Sequence, residues 1–405
     1  MARYAIIDIA NLFHRARHVV RGDAFMKAGM SLHIVFRSLR KLHRDYQVDH
    51  MVFCVEGKSW RYDVFPQYKG KRRLDRMSKS TADKEEDEAF FSVLNDFTEF
   101  LKDKTRCTVL HHPKVEGDDF VARWIQVHKD DDHIILSGDS DFVQLIAPNV
   151  SIYNGVDDRL LTQDGVFDGK GTPMEFHVNP SDGKIKVPGT IEEMKKKHDK
   201  AQKELEKAHI ASEKARGVSF AASEKSKKND DPEYVPQIFV PSTYEWVEYD
   251  FTPEPEWWRL ALFVKLIRGD TGDGIFSAYP GVRWTSKSKV GIQEAWEDRK
   301  TQGFNWNNFM LQRWEKLVET TPDGQPITEQ VRVLDQYRFN ELLIDLSKQP
   351  DDVITMMDET IMAAIEKGAI GNVGIHFMRF CDRNQLPNLT KEAHDHAAYL
   401  KAPYR

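Results

Sequence analysis

The chain has 405 residues, 40% of them hydrophobic and 30% charged, with a formal net charge of −6; this suffices for two packed domains, and no apolar run is long enough to span a bilayer. The acidic total argues against a uniformly basic nucleic-acid coat, yet it averages over a segregated pattern: between Lys58 and Lys79 eight bases stand against two acids, the kind of stripe that tracks phosphates. Cys54, Cys107 and Cys381 form no close pair, which excludes a disulfide framework and a cysteine-based zinc site and predicts a cytoplasmic protein.

In chain order, YAIID (4–8), HMVFCVE (50–56), TVLHH (108–112), HIILSGD (133–139) and VSIYN (150–154) predict strands. Helices are expected through the thirties, over 85–103, from Asp118 and from Asp141. The first strand begins so early that no signal peptide is expected. Apolar strands alternating with helices predict an α/β fold, a mostly parallel twisted sheet with helices on both faces, filling residues 1–163. GKRRLDRMSKSTADKEED, basic first and acidic last, predicts an exposed arch or loop near 70–90. Residues 164–250 break the alternation: 191–216 is rich in Lys, Glu and Ala and is followed by a Ser/Lys/Asn/Asp run, which predicts an inserted helical projection and linker. From 251 to 405 a helical domain is expected, with WWRLALFVKLIRG (257–269) first and further helices around 290–297, 305–319, 327–347 and 352–366.

Acids gather where this scheme ends its strands and begins its helices. Asp8, Glu56 and Asp139 close apolar runs and so share one rim of the sheet, where chemistry sits in such folds. Glu116, Asp118 and Asp119 open a helix, Asp141 follows Asp139 at a spacing of two, and Asp270 and Asp273 follow the first helix of the C-terminal part. Each motif alone serves equally well as a cap or a turn. Together they would repel strongly without cations between them, and oxygen ligands in this number suit Mg²⁺, with Mn²⁺ as substitute, and phosphodiester hydrolysis.

The ordered set, Asp8, Glu56, YKGKR (68–72), EGDD (116–119), GDSD (138–141) and GDTGD (269–273), resembles the flap endonuclease / 5′-3′ exonuclease family, and SDFVQLIAPNVSIYN and YRFNELLIDLSKQPDDV are similar to its bacteriophage ribonuclease H branch. Glu56 stands where that family usually has Asp. The resemblance implies a PIN-like nuclease core and a two-metal 5′-nuclease of DNA replication or repair. Asp8, Glu56, Glu116, Asp118 and Asp119 would hold one ion, and Asp139, Asp141, Asp270 and Asp273 the other. Lys69 and Arg72 would contact the scissile phosphate and Tyr68 would stack on a terminal base. Arg61, Lys71 and Arg73, with Arg283, Lys287 and Lys289 near a helix-hairpin-like element that takes K⁺, would bind nucleic acid. Implied partners are DNA with a 5′ flap or 5′ end, RNA-DNA hybrids, a single-strand DNA-binding protein and a sliding clamp, with the enzyme itself a monomer in the host cytoplasm if phage-encoded. The competing readings are a PIN-like endoribonuclease and a DNA-structure-binding protein whose metal site has decayed; the length, YKGKR and the distant GDTGD pair count against the first, and the near-complete acid set against the second.

Overall fold

The structure, a computed structural model, describes residues 1–19, 24–191, 193, 200, 203–211, 237–240, 245–248, 253–286, 289–320 and 326–404. The N-terminal elements are β1 (Arg3–Asp8), α1 (Ile9–Val19), α2 (Ala24–Tyr46), β2 (His50–Cys54), α3 (Arg61–Val64), α4 (Gly70–Met77), α5 (Thr81–Lys104), β3 (Thr108–Leu110), α6 (Gly117–Val127), β4 (Asp132–Leu136) and β5 (Val150–Asn154). Their strands order as β3-β2-β1-β4-β5, all parallel, with Asp8 opposite Cys54 and Ile7 opposite Leu136. Side chains alternate across a strand, so Ala5 and Ile7 join one core with α2, α5 and the Val373–Arg383 helix. Tyr4 and Ile6 join another with α6 and the Asp351–Ile365 helix. Both faces are therefore covered, which is why these strands are apolar throughout. C-terminal helices contribute to both cores, so the sheet and the C-terminal part share their interior.

The sheet continues beyond β5 by antiparallel pairing through β6 (Arg159–Thr162), β7 (Gly165–Asp168), β8 (Pro173–Val178) and β9 (Ile185–Thr190), nine strands among the described residues. The sequence reading placed 164–250 outside the core, but its first part belongs to the sheet. These strands are short and half-buried, and what covers them comes from afar: α7 (Trp257–Arg268) sets Trp257 against Phe176 at 4.8 Å between ring centres. Residues 203–211 are helical, as expected, whereas β10 (Gln237–Val240) and β11 (Glu245–Glu248) form a separate hairpin. The rest of the expected linker, 212–236, lies outside the described residues. In the C-terminal part, helices at Ile292–Glu297, Phe304–Met310, Val333–Ile344 and Asp351–Ile365 match expectation, but β12 (Arg313–Thr320) and β13 (Pro326–Arg332) form a hairpin where helix was predicted over the rest of 305–319 and from 327.

Candidate metal centre and nucleic-acid interface

The site lies at the carboxyl end of the parallel strands. Asp8 ends β1, its Oδ1 accepting the Asn11 N–H at 3.0 Å and its Oδ2 the Ser137 hydroxyl at 3.1 Å. Glu56, just past β2, accepts the Gly117 N–H at 2.9 Å. Asp139 caps a 3-10 turn (Ser140–Leu145), with its Oδ1 on the Asp141 N–H at 3.0 Å. Glu116 is the N-cap of α6 and Asp118 stands in that helix's first turn.

These carboxyls crowd one another. Burial, then Asp8, Glu56, Asp139 and Glu116, push the Asp118 carboxyl well above its ordinary range. Burial followed by Glu116 lifts Glu56 to about 7, and burial followed by Asp141 raises Asp139. Burial is the larger cause of each shift, and the neighbouring carboxylates add to it.

The more distant acids are neutralised by side chains. Glu116 takes the Lys69 ammonium on Oε1 and, on Oε2, Arg61 at 2.7 Å and the Ser59 hydroxyl at 2.6 Å. Lys265 of α7 joins Asp141 to Asp270, at 2.9 Å from Asp270 Oδ2. Burial works to raise the Asp270 carboxyl, but Lys265 and the Gly272 and Asp273 N–H groups hold it below its ordinary value. Asp273 receives the Tyr68 hydroxyl at 3.1 Å and Arg72 at 2.9 Å, while its carbonyl accepts the Lys69 N–H at 2.8 Å. Lys265 thus ties Asp270 to Asp141, and the Tyr68 hydroxyl ties Asp273 to Glu116.

Among the described residues, no three Asp, Glu, His or Cys side chains converge tightly enough to chelate an ion as they stand, since Glu116 is turned to Lys69 and Arg61, and Asp141 and Asp270 to Lys265. The donor set nevertheless fits a hard divalent cation: it is all carboxylate oxygen, and the crowding around Asp118 is the charge imbalance that such a cation relieves.

Three sequence expectations are corrected. Asp119, expected as a ligand, is 0% exposed and accepts both Arg61 NH groups at 2.9 Å and the Trp60 indole N–H at 3.0 Å, so its oxygens face the core. Arg61, expected on nucleic acid, is 3% exposed and spends its remaining donor on the Leu343 carbonyl at 2.7 Å. Tyr68, expected to stack on a base, is buried with its hydroxyl on Asp273 and its ring edge-on to Tyr62. Lys71, Arg73, Arg283 and Lys289 are exposed, and Arg72 is partly so; Lys287 lies outside the described residues. Sequence reasoning missed Lys265, Asn11 and Ser137. Lys265 did carry a signal, as a base inside the apolar run LALFVKLI.

Residues 3–171 match the family model of the 5′-3′ exonuclease N-terminal, resolvase-like domain. Over these residues, which make up less than half of the chain, the sequence is similar to that family. Solved structures of bacteriophage T5 proteins are also similar. A T5 protein co-crystallised with metal ions is 16% identical, covering 89% of this chain and 99% of that chain at a TM-score of 0.49. A T5 flap endonuclease in complex with DNA and metal ions is 16% identical, covering 90% and 100% at 0.48. A T5 5′-exonuclease with bound zinc is 16% identical, covering 89% and 99% at 0.48.

Proposed function

We propose that this protein is a 5′-3′ exonuclease-family, structure-specific 5′-nuclease that hydrolyses phosphodiester bonds at 5′ ends, 5′ flaps and RNA primers beside duplex DNA, using two Mg²⁺ ions for which Mn²⁺ substitutes. The observation that carries the reading is the gathering of Asp8, Glu56, Asp118 and Asp139 from separate elements at one strand-end cleft, where burial and then these neighbours raise the Asp118 carboxyl. Asp8, Glu56, Glu116 and Asp118 hold one ion, and Asp139, Asp141, Asp270 and Asp273 the other. When bound, the ions lower the pKa of the attacking water and neutralise the leaving 3′ oxygen.

The protein's own side chains bind and orient the strand. Lys69 and Arg72 sit at the entrance to the acids, tied to Glu116 and Asp273, and exchange those partners for the scissile phosphate as its charge grows. Lys71, Arg73 and Arg76 on the exposed α4 attract the single strand without regard to sequence. Arg283 and Lys289, exposed in the C-terminal part, take duplex phosphates. A 5′-labelled flap, a nicked duplex and an RNA-primed template, incubated with and without Mg²⁺, test this. Cleavage that needs Mg²⁺ and proceeds from the 5′ side is expected, and intact substrates in every lane refute it.

A further inference from the structure

α7 packs Leu260, Val264 and Ile267 into the interior, and between them Lys265 extends to the acids. Its ammonium pairs with Asp141, from the turn after β4, and with Asp270, from the turn after α7. Its side chain is only 14% exposed, so these pairs are shielded from water. Asp270 Oδ1 is already occupied by the Gly272 and Asp273 N–H groups. Oδ2 is thus the oxygen available to a cation, and Lys265 holds it.

We propose that Lys265 is a positioning residue that serves as a resident counter-charge, holding Asp141 and Asp270 together before an ion arrives and being displaced by the ion that binds there. The inference rests on the reading of Asp141 and Asp270 as ion ligands. An incoming divalent ion must break two shielded ion pairs and then share the pole with a like charge, so uptake there is an exchange, weaker than uptake beside Asp8 and Asp118. Without the ammonium, the two carboxylates repel each other in the metal-free protein and bind the ion more tightly.

The test is a Mn²⁺ titration, by calorimetry and by the resonance of free Mn²⁺, on the wild type, Lys265→Met and Lys265→Arg. The wild type should take two ions in unequal steps. Lys265→Met should tighten the weaker step by about tenfold or more and melt lower without metal, while Lys265→Arg, which keeps the charge, stays within about threefold of wild type. Should Lys265→Met fail to fold without metal, recovery on adding Mn²⁺ supports the exchange and no recovery overturns it. If the wild type takes fewer than two ions, the proposed function falls and this inference with it. If it takes two and folded Lys265→Met binds the weaker one no better, only the role of Lys265 falls.

Discussion

Replacing Arg61 by Met tests how the acid cleft is braced. The guanidinium donates at 2.7 Å to Glu116, twice at 2.9 Å to Asp119 and at 2.7 Å to the Leu343 carbonyl, almost wholly out of water. Met fills similar space but leaves Asp119 with the Trp60 indole alone among these donors, and removing one partner of a buried pair costs about 3–5 kcal/mol. Spread over an unfolding entropy of about 2.1 cal/mol/K per residue for 405 residues, that is a melting-temperature loss of about 4–6 °C. Urea denaturation followed by circular dichroism would read the loss directly. Adding Asp119→Asn to Arg61→Met should recover part of it, because the stranded charge is gone, so the two substitutions together should cost less than their sum. A loss under about 1 kcal/mol, or strict additivity, would refute the bracing role.

Asp139→Asn should abolish cleavage and raise the metal-free melting temperature, since the Asn oxygen can still accept the Asp141 N–H while like-charge crowding is relieved; scanning fluorimetry in chelator checks it, and a lower melting temperature would mean the acids are not crowded. Lys69→Ala should cut single-turnover cleavage by about 100-fold but change flap affinity by no more than about twofold, and equal losses would make Lys69 a docking residue only. Acid should weaken the fold through His50, whose ring contacts the Ala402 carbonyl at 3.0 Å and the Thr108 hydroxyl at 2.8 Å and is pushed down to about 4 mainly by burial. Because that value lies below the unfolded one near 6.5, the unfolded chain takes the proton first as pH falls. The contribution is whole above pH 6.5 and drains away towards pH 4, by up to about 3 kcal/mol. Urea midpoints at both ends of this window should converge in His50→Gln relative to wild type, and an identical acid loss in the two proteins would rule His50 out.

The five parallel strands could be read from sequence because burial on both faces makes them mostly apolar. The rim shared by Asp8 and Asp139 followed from each closing such a run, whereas the strand order did not. β7 to β9 could not be read this way, since their cover is supplied by Trp257, far along the chain. The stretch that forms the β12–β13 hairpin reads as helix because Leu311, Trp314 and Leu317 recur every third residue, a spacing a helix would also show, although the sequence Pro-Asp-Gly at 322–324 is a turn signal. At the site, which acids converge was legible, but which way they face was not. A Trp-Arg pair beside a basic stripe looks the same whether it reaches for DNA or, as here, for a buried Asp119.

Lys69 is fastened twice, by its N–H on the Asp273 carbonyl and its ammonium on Glu116, and its left-handed backbone (φ 50°) turns the chain into α4. The helix therefore starts from a residue held at two points, and Leu74 and Met77, 66% and 70% exposed, lie along its length of about 12 Å. A change at Lys69 would alter both the contact with Glu116 and the direction in which α4 leaves the acids.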